Sequence, residues 1–100
     1  MKLSNEFKPI RIWASEKGIL SKSDSKSQFL KLQEETGELA KALLNNDKAE
    51  IIDAIGDIVI VLTNLAALEK LDIEECINSA YNVIKKRTGS MIGGSFVKDK

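Results

Sequence analysis

The chain of 100 residues contains no histidine, one cysteine and one proline. Without histidine, and with Cys76 as the lone thiol, a zinc site or a histidine-ligated iron site is not expected. A single cysteine also excludes an intramolecular disulfide framework and is consistent with a reducing compartment. We expect Cys76 to be a small buried apolar side chain, and Pro9 leaves the rest of the chain free to form helices.

The chain also lacks an excess of either charge. Lys+Arg and Asp+Glu both number 15, so nothing favours non-specific nucleic-acid binding. No long apolar run of the signal-peptide kind stands at the N-terminus. The most apolar stretch, residues 51–68, is interrupted by Asp53, Asp57 and Asn64, which argues against a membrane span. We therefore expect a cytoplasmic protein with no nucleic-acid or membrane partner.

Apolar periodicity and helix-capping patterns predict an all-α fold with four helices. Ser25 with Gln28, Asp47 with Glu50 and Asp72 with Glu75 each match a capping box at a helix start. The short link between the last two helices is typical of an antiparallel pair, which favours a four-helix-type antiparallel bundle. The helices are expected to run from about Phe7 to Lys17, Ser25 to Leu44, Asp47 to Lys70 and Asp72 to Arg87.

The size of the chain predicts a single domain over residues 1–100 that assembles with copies of itself. One hundred residues bury only a modest core. The third predicted helix is apolar almost all round, which is typical of a buried helix, and one small subunit is not expected to cover it alone. We therefore expect a homodimer or a homotetramer. From about residue 88 a short tail follows, in which Gly93–Gly94 predicts a small two-residue hairpin.

The strongest functional signal is the placement of the acids. At about 100° per residue, Glu35 lies at the edge of the apolar stripe of the second helix, with Glu38 three residues on. Asp53 and Asp57 are i, i+4 neighbours inside the most apolar stretch. Antiparallel packing of the two helices would bring three to five carboxylates together. The stripe itself is expected to consist of Phe29, Leu32, Thr36, Leu39 and Leu43.

Carboxylates brought this close repel one another and are costly to bury unless a cation binds them. Oxygen ligands without histidine indicate a hard cation, Mg²⁺ or alternatively Mn²⁺. Because Mg²⁺ usually keeps waters and binds substrate phosphates, the expected chemistry is hydrolysis of a phosphoanhydride. The alternative interpretation is a solvated face on which Glu34, Glu35 and Glu38 pair with Lys31 and Lys41.

The run Glu34-Glu35-x-x-Glu38, followed about fifteen residues later by an acid-bearing apolar helix, resembles the MazG-like all-α nucleoside triphosphate pyrophosphohydrolases. Their pattern is EExxE, then ExxD on the next helix. Residues 13–19, 28–32 and 82–87 resemble further segments of that family. The tail is similar to that of its short single-domain members, often from phages or bacteria. The resemblance covers nearly the whole chain.

The resemblance implies an oligomeric helical bundle with Mg²⁺-dependent cleavage of an NTP or dNTP to the monophosphate and pyrophosphate. By position, it makes Glu35, Glu38 and Asp57 metal ligands, and Glu34 a ligand or the acid that activates water. Glu34 and Glu35 are therefore the expected catalytic residues. A phosphoribosyl-ATP pyrophosphohydrolase and a dUTP- or dCTP-specific relative remain open within this class.

The resemblance also implies a set of substrate-binding residues, with Lys85 and Arg87 at the phosphates. Alternative interpretations stay open for several members: packing in the core or an interface for Trp13, helix capping for Gln28, and interaction with a helix dipole for the basic residues. The expected substrate-binding residues are Trp13, Gln28, Lys31, Asn82, Lys85 and Arg87.

One position departs from the family pattern. The ExxD motif would place a glutamate at position 54, where this chain has Ala54. Asp53, one residue earlier, is the expected substitute ligand, whether directly or through water, and Asp57 is the family aspartate. The departure supports a second hypothesis, a non-catalytic helical module for metal binding, nucleotide binding or oligomerisation. A plain structural bundle is the third.

Overall fold

A computed structural model describes residues 5–99 of the chain, and this part is mostly helical, as predicted. The central helix, α4, contacts every other helix of the described chain. Its most extensive contact is with α3, which runs antiparallel to it. The elements are α1 (Phe7–Glu16), α2 (Ile19–Lys22), α3 (Ser25–Leu44), α4 (Lys48–Leu68), α5 (Ile73–Ile84), β1 (Gly89–Ile92) and β2 (Ser95–Lys98).

Side-chain caps begin the two long helices. The Asp47 carboxylate accepts a hydrogen bond from the backbone N–H of Glu50 at 3.2 Å, which confirms the predicted start of α4. The cap of α3 is one residue earlier than predicted. Asp24, rather than Ser25, has the extended backbone of an N-cap and accepts from the N–H of Ser27 at 2.8 Å.

Two connections differ from the prediction. Gly18, at φ +80°, lets the chain start the one-turn helix α2, which was not predicted, so only Ser23 and Asp24 separate this helix from α3. Helix α5 ends at Ile84 instead of Arg87, because the backbone N–H groups of Lys86 and Arg87 bond three residues back, to Val83 and Ile84, as in a 3₁₀ turn. At the other end of α5, Asp72 holds the N-cap position without a side-chain bond.

The predicted hairpin is confirmed. Strands β1 and β2 pair antiparallel, and Ile92 lies opposite Ser95 across a two-residue turn. Gly93 and Gly94 both have positive φ, as a type I′ turn requires. Every residue of the two strands is exposed, so the hairpin extends from the helical body without a packed face.

The face of α3 that packs on α4 differs from the predicted stripe. Phe29, Thr36 and Leu43 are exposed, whereas Leu32 and Leu39 are half-buried. The least exposed residues of α3 follow a neighbouring stripe at three- and four-residue spacing, which consists of Gln28, Leu32, Glu35, Leu39 and Ala42. The buried apolar side chains of the described chain are Ala14, Ala42, Ala54, Val61 and Ala66.

Much apolar surface of this chain remains uncovered. The described chain does not cover α4 all round, as expected for one small subunit: the N-terminal half of the helix has a free face on which Ile52 is 72% exposed and Ile55 is 50% exposed. The Cα radius of gyration is 15.9 Å, against about 13 Å for a compact domain of 100 residues.

By length and hydropathy alone, α4 is long and apolar enough to span a membrane, but core helices of soluble proteins pass the same test. Cys76 is exposed, because it lies on the side of α5 away from α4.

Helix α5 is attached to α1 by a two-pronged ion pair. Arg11 donates from Nη1 and Nη2 to Glu74 Oε1 and Oε2 at 2.6 and 2.8 Å. Both side chains are largely shielded from solvent. The hydrogen bonds from Arg11 lower the pKa of the Glu74 carboxyl below its usual value, against a smaller opposing effect of burial.

We expect Arg11→Met to loosen this attachment and lower stability by about 1 kcal/mol, which corresponds to roughly 4–8 °C in Tm for a domain of this size. Because the folded-state pKa of Glu74 is depressed, the stabilisation is complete above the unfolded-state pKa of about 4.3. It is lost as the pH falls through the lower folded-state value.

Thermal unfolding by circular dichroism at pH 7 and pH 3 checks this, with Lys8→Met as the matched loss of an exposed cation from α1. Equal Tm values for wild type and Arg11→Met at pH 7 would contradict it.

Candidate active site

Two acids from neighbouring helices share one cleft. Helices α3 and α4 run antiparallel on either side of a short turn, which brings Glu35 level with Asp57. The Glu35 side chain is only 14% exposed, and Asp57 is half-buried. The cleft has a volume of about 570 Å³ and is lined by Trp13, Ile19, Ser27, Gln28, Lys31, Glu35, Asp57, Ile60, Val61 and Asn64.

The other predicted acids lie outside this cleft. Glu38 lines a smaller cavity of about 290 Å³ beside the α3–α4 turn, together with Glu50. Asp53 and Glu34 are exposed. Within residues 5–99, no three His, Cys, Asp or Glu side chains converge as a ready metal site. The expected cluster of three to five carboxylates is therefore not assembled by one described chain, and Glu35 with Asp57 is the pair that it does bring together.

Ala54 marks the position that the resemblance assigns to a glutamate. It is 5% exposed and faces α3 one turn before Asp57. Asp53 is rotated from it by about 100° of helix and lies on the solvent side. The place of the expected carboxylate is thus taken by a methyl group, and the substitute acid does not line the cleft.

Lys31 forms ion pairs with two of the acids on α3, Glu34 and Glu35. Its ammonium lies 3.4 Å from a Glu34 carboxylate oxygen and 3.6 Å from a Glu35 oxygen. The pKa of Lys31 is raised above its usual value, mainly by its contact with Glu34 and secondarily by the charge of Glu35. The predicted pairing of Glu34 and Glu35 with Lys31 is therefore present, whereas no ion pair of Glu38 with Lys41 is found among the described residues. A divalent cation at Glu35 would compete with the Lys31 ammonium.

The predicted substrate-binding residues fall into two groups. Trp13, Gln28 and Lys31 line the cleft that holds Glu35 and Asp57. Trp13 is 46% exposed, so it is not a core residue of this chain. Gln28 donates through Nε2 to Ser23 Oγ at 3.2 Å, which ties its amide to the chain just before α3.

The second group lies apart from the cleft. Asn82, Lys85 and Arg87 are exposed at and beyond the end of α5, and none of them lines the cleft. The Lys85 ammonium lies 5.8 Å from the centre of the Tyr81 ring, within the range of a cation–π contact. A single chain in this arrangement does not place these cations beside Glu35 and Asp57.

Asn64 is a cleft residue that the sequence did not indicate as a site. It is 3% exposed, and its Oδ1 has no hydrogen-bond partner among the described residues. It follows Asp57 by seven residues, which places both on the same face of α4. That spacing was the available signal, but an amide within an apolar helix is equally consistent with packing against a neighbouring helix.

Comparison with known proteins identifies the family. The model of the MazG nucleotide pyrophosphohydrolase domain matches residues 23–91. The chain belongs to this family. The match begins just before α3 and ends within β1, so it includes α3, α4 and α5 but not Trp13 and Ile19, the cleft residues of α1 and α2. The MazG domain is associated with nucleotide pyrophosphohydrolase activity, which agrees with the class of reaction expected from the acids.

A phage protein is among the relatives of this chain. It is an uncharacterized 18.2 kDa protein from the rep–hol intergenic region of Haemophilus phage HP1, 36% identical over 70 residues. The alignment covers 70% of this chain and 43% of the phage protein, so the chain spans less than half of its relative. No solved structure shows a significant match.

Proposed function

We propose that this protein is a nucleoside triphosphate pyrophosphohydrolase, which cleaves an NTP or dNTP to the monophosphate and pyrophosphate. The observation that carries the proposal is the shared cleft, where Glu35 and Asp57 from two helices lie beside Trp13, Gln28 and Lys31. Acids at one end and an apolar aromatic wall at the other suit a ligand with phosphates and a flat base.

The donor set at the acidic end fits a hard divalent cation. Two carboxylates from two helices, with room in an open cleft for waters and phosphate oxygens, match the usual Mg²⁺ site in phosphate chemistry, and Mn²⁺ has similar preferences. Glu35 and Asp57 would hold the ion. We propose Glu38 and Asp53 as further ligands, which would have to turn toward the cleft, because Glu38 lines the neighbouring cavity and Asp53 lies on the solvent side of α4. The cation would polarise phosphoryl oxygens and offset the charge that develops on them.

The side chains of this protein supply the remaining functions. Glu34, which is exposed and pairs with the cleft residue Lys31, would accept the proton of the attacking water. Lys31, now paired with Glu34 and Glu35, is free to turn toward a phosphate when a cation takes its place. Lys85 and Arg87 would stabilise the leaving pyrophosphate, for which Arg can bind two oxygens at once, and Asn82 would bind the substrate nearby.

We propose that two subunits build each site. The α5 end with Lys85 and Arg87 lies apart from the cleft of its own chain, while the outer faces of α3 and α4 carry uncovered apolar side chains. Burial of those faces against a second copy would stabilise a homodimer, or a homotetramer made of dimers. We further propose a cytoplasmic enzyme that acts on free nucleotides, without a nucleic-acid or membrane partner.

The direct test is a panel of NTPs and dNTPs incubated with the purified protein in Mg²⁺ or EDTA. Metal-dependent release of both monophosphate and pyrophosphate is the expected result. Release of inorganic phosphate alone would assign a different cleavage. A folded protein that releases neither product would favour the second candidate, a module that binds metal or nucleotide without turnover, for which the buried Ala54 is the supporting observation.

The variant Ala54→Glu tests whether Ala54, at the position where the family pattern has a glutamate, weakens metal binding. We expect the new carboxylate, one turn before Asp57 on α4, to join the proposed metal site and raise Mg²⁺ affinity by about tenfold or more, because ligand charge sets affinity at such sites. Without metal the same acid is buried and repelled, so we expect a lower Tm than for wild type. Thermal unfolding against Mg²⁺ concentration measures both effects.

Ala40→Glu is the matched control, because it adds the same charge to an exposed position of α3. It should leave the Mg²⁺ dependence unchanged. If Ala54→Glu shows the same Mg²⁺ dependence as Ala40→Glu, position 54 does not belong to the metal site.

A further inference from the structure

The cleft continues past the acids to a buried amide. From Asp57 to Asn64 the α4 axis rises by about 10 Å, at roughly 1.5 Å per residue. This is comparable to the reach of a nucleotide from its phosphates to the far edge of its base. Gln28, on the antiparallel α3, lies level with Asn64, and Trp13 of α1 lines the same space.

Asn64 is the unusual group at this end. A buried carboxamide normally has its hydrogen bonds satisfied, because an unpaired oxygen loses its hydration without compensation. Here the side chain is 3% exposed, lines the cleft, and has an Oδ1 without a partner among residues 5–99. An N–H donor that enters the cleft would satisfy this oxygen, and the amide N–H₂ beside it offers a donor in return.

We propose that Asn64 is a specificity-determining residue that binds the edge of the nucleobase. Its Oδ1 accepts an N–H of the base and its Nδ2 donates to the adjacent acceptor, the pairing that asparagine makes with base edges elsewhere. The exposed ring of Trp13 covers the base from the side of α1. This inference rests on the proposed function for the identity of the ligand, but its test requires neither hydrolysis nor a metal.

The experiment uses nucleosides without phosphate as probes. Trp13 is the single tryptophan of the chain and lines the cleft, so its fluorescence reports on occupancy. We expect at least one of the common ribo- and deoxyribonucleosides to change the emission of the wild-type protein in EDTA. In Asn64→Leu, which keeps the side-chain size, affinity for that nucleoside should fall by at least about tenfold.

Asn78→Leu is the matched control. Asn78 also has an unpaired Oδ1, but it belongs to α5 and does not line the cleft, so nucleoside affinity should stay at the wild-type value. Asn64→Leu removes an unpaired buried polar group, so its Tm should equal or exceed that of wild type while binding is lost. If the Asn64 amide only supported the fold, Asn64→Leu would instead lower the Tm and leave nucleoside affinity unchanged. If Asn64→Leu does not fold, Asn64→Asp, which exchanges the donor for a second acceptor, should change the preferred nucleoside.

The outcomes separate this inference from the proposed function. Equal nucleoside affinity in wild type and Asn64→Leu would overturn the role of Asn64, as would a wild-type protein whose Trp13 emission responds to no nucleoside. Nucleoside binding that depends on Asn64, together with no pyrophosphate release in the panel assay, would support the base subsite and reject the enzyme. If the wild-type protein hydrolyses nucleotides with a base preference, and Asn64→Leu keeps that preference, the result would support the enzyme and reject the base subsite at Asn64.

Discussion

Glu35→Gln is expected to lower kcat for pyrophosphate release by at least about a thousandfold, with an unchanged helical CD spectrum. Glutamine keeps the size of the side chain but removes the charge that would hold the cation. A cation contributes several kcal/mol to phosphoryl transfer, and each 1.36 kcal/mol is a tenfold change in rate. The fold should survive, because the ion pair lost with Lys31 is a helix-surface pair worth about 0.3–0.5 kcal/mol.

The same substitution at Glu16, an exposed acid at the end of α1, is the control and should leave kcat unchanged. Mg²⁺ should also raise the Tm of wild type but not of Glu35→Gln, a second measurement that does not depend on turnover. Turnover of Glu35→Gln within tenfold of wild type would show that the cleft is not the catalytic site.

The elements of this fold that could be predicted from the sequence depend on local interactions. The Asp47 cap starts α4 through a bond three residues away, and Gly93–Gly94 accept the positive φ that their turn needs. The face of α3 depended on tertiary packing. Its apolar residues allow two neighbouring stripes, and only packing against α4, which buries Ala42 and leaves Phe29 and Leu43 exposed, selects between them.

In the candidate site too, local helix periodicity could be predicted from the sequence, whereas features set by tertiary packing could not. Helix periodicity placed Glu35 and Asp57 on facing strips, and both line one cleft. The sequence did not indicate Asn64 as a site, because its seven-residue spacing from Asp57 fits a ligand contact and packing against a neighbouring helix equally well. It also could not place Lys85 and Arg87 relative to the cleft, because the direction of α5 is set by tertiary contacts with α4 and α1.

The second prediction with a large effect concerns those cations. Lys85→Ala with Arg87→Ala should reduce kcat/KM by about a hundredfold or more, because each charged hydrogen bond to a phosphate is worth roughly 1.5–3 kcal/mol. Far-UV CD should show an unchanged helix content, since both residues are exposed beyond the end of α5. The double variant alone does not reveal which subunit supplies the cations.

Co-expression of Glu35→Gln with the Lys85→Ala, Arg87→Ala chain decides that question. If each cleft receives its cations from the partner, a mixed dimer contains one intact site, and random assortment should restore about a quarter of the wild-type activity. If both groups act within one chain, every site carries a defect and mixing restores nothing. Two affinity tags on the two chains would isolate the mixed dimer. An isolated mixed dimer without activity would contradict the shared site, because the exposed end of α5 would then have to reach the cleft of its own subunit.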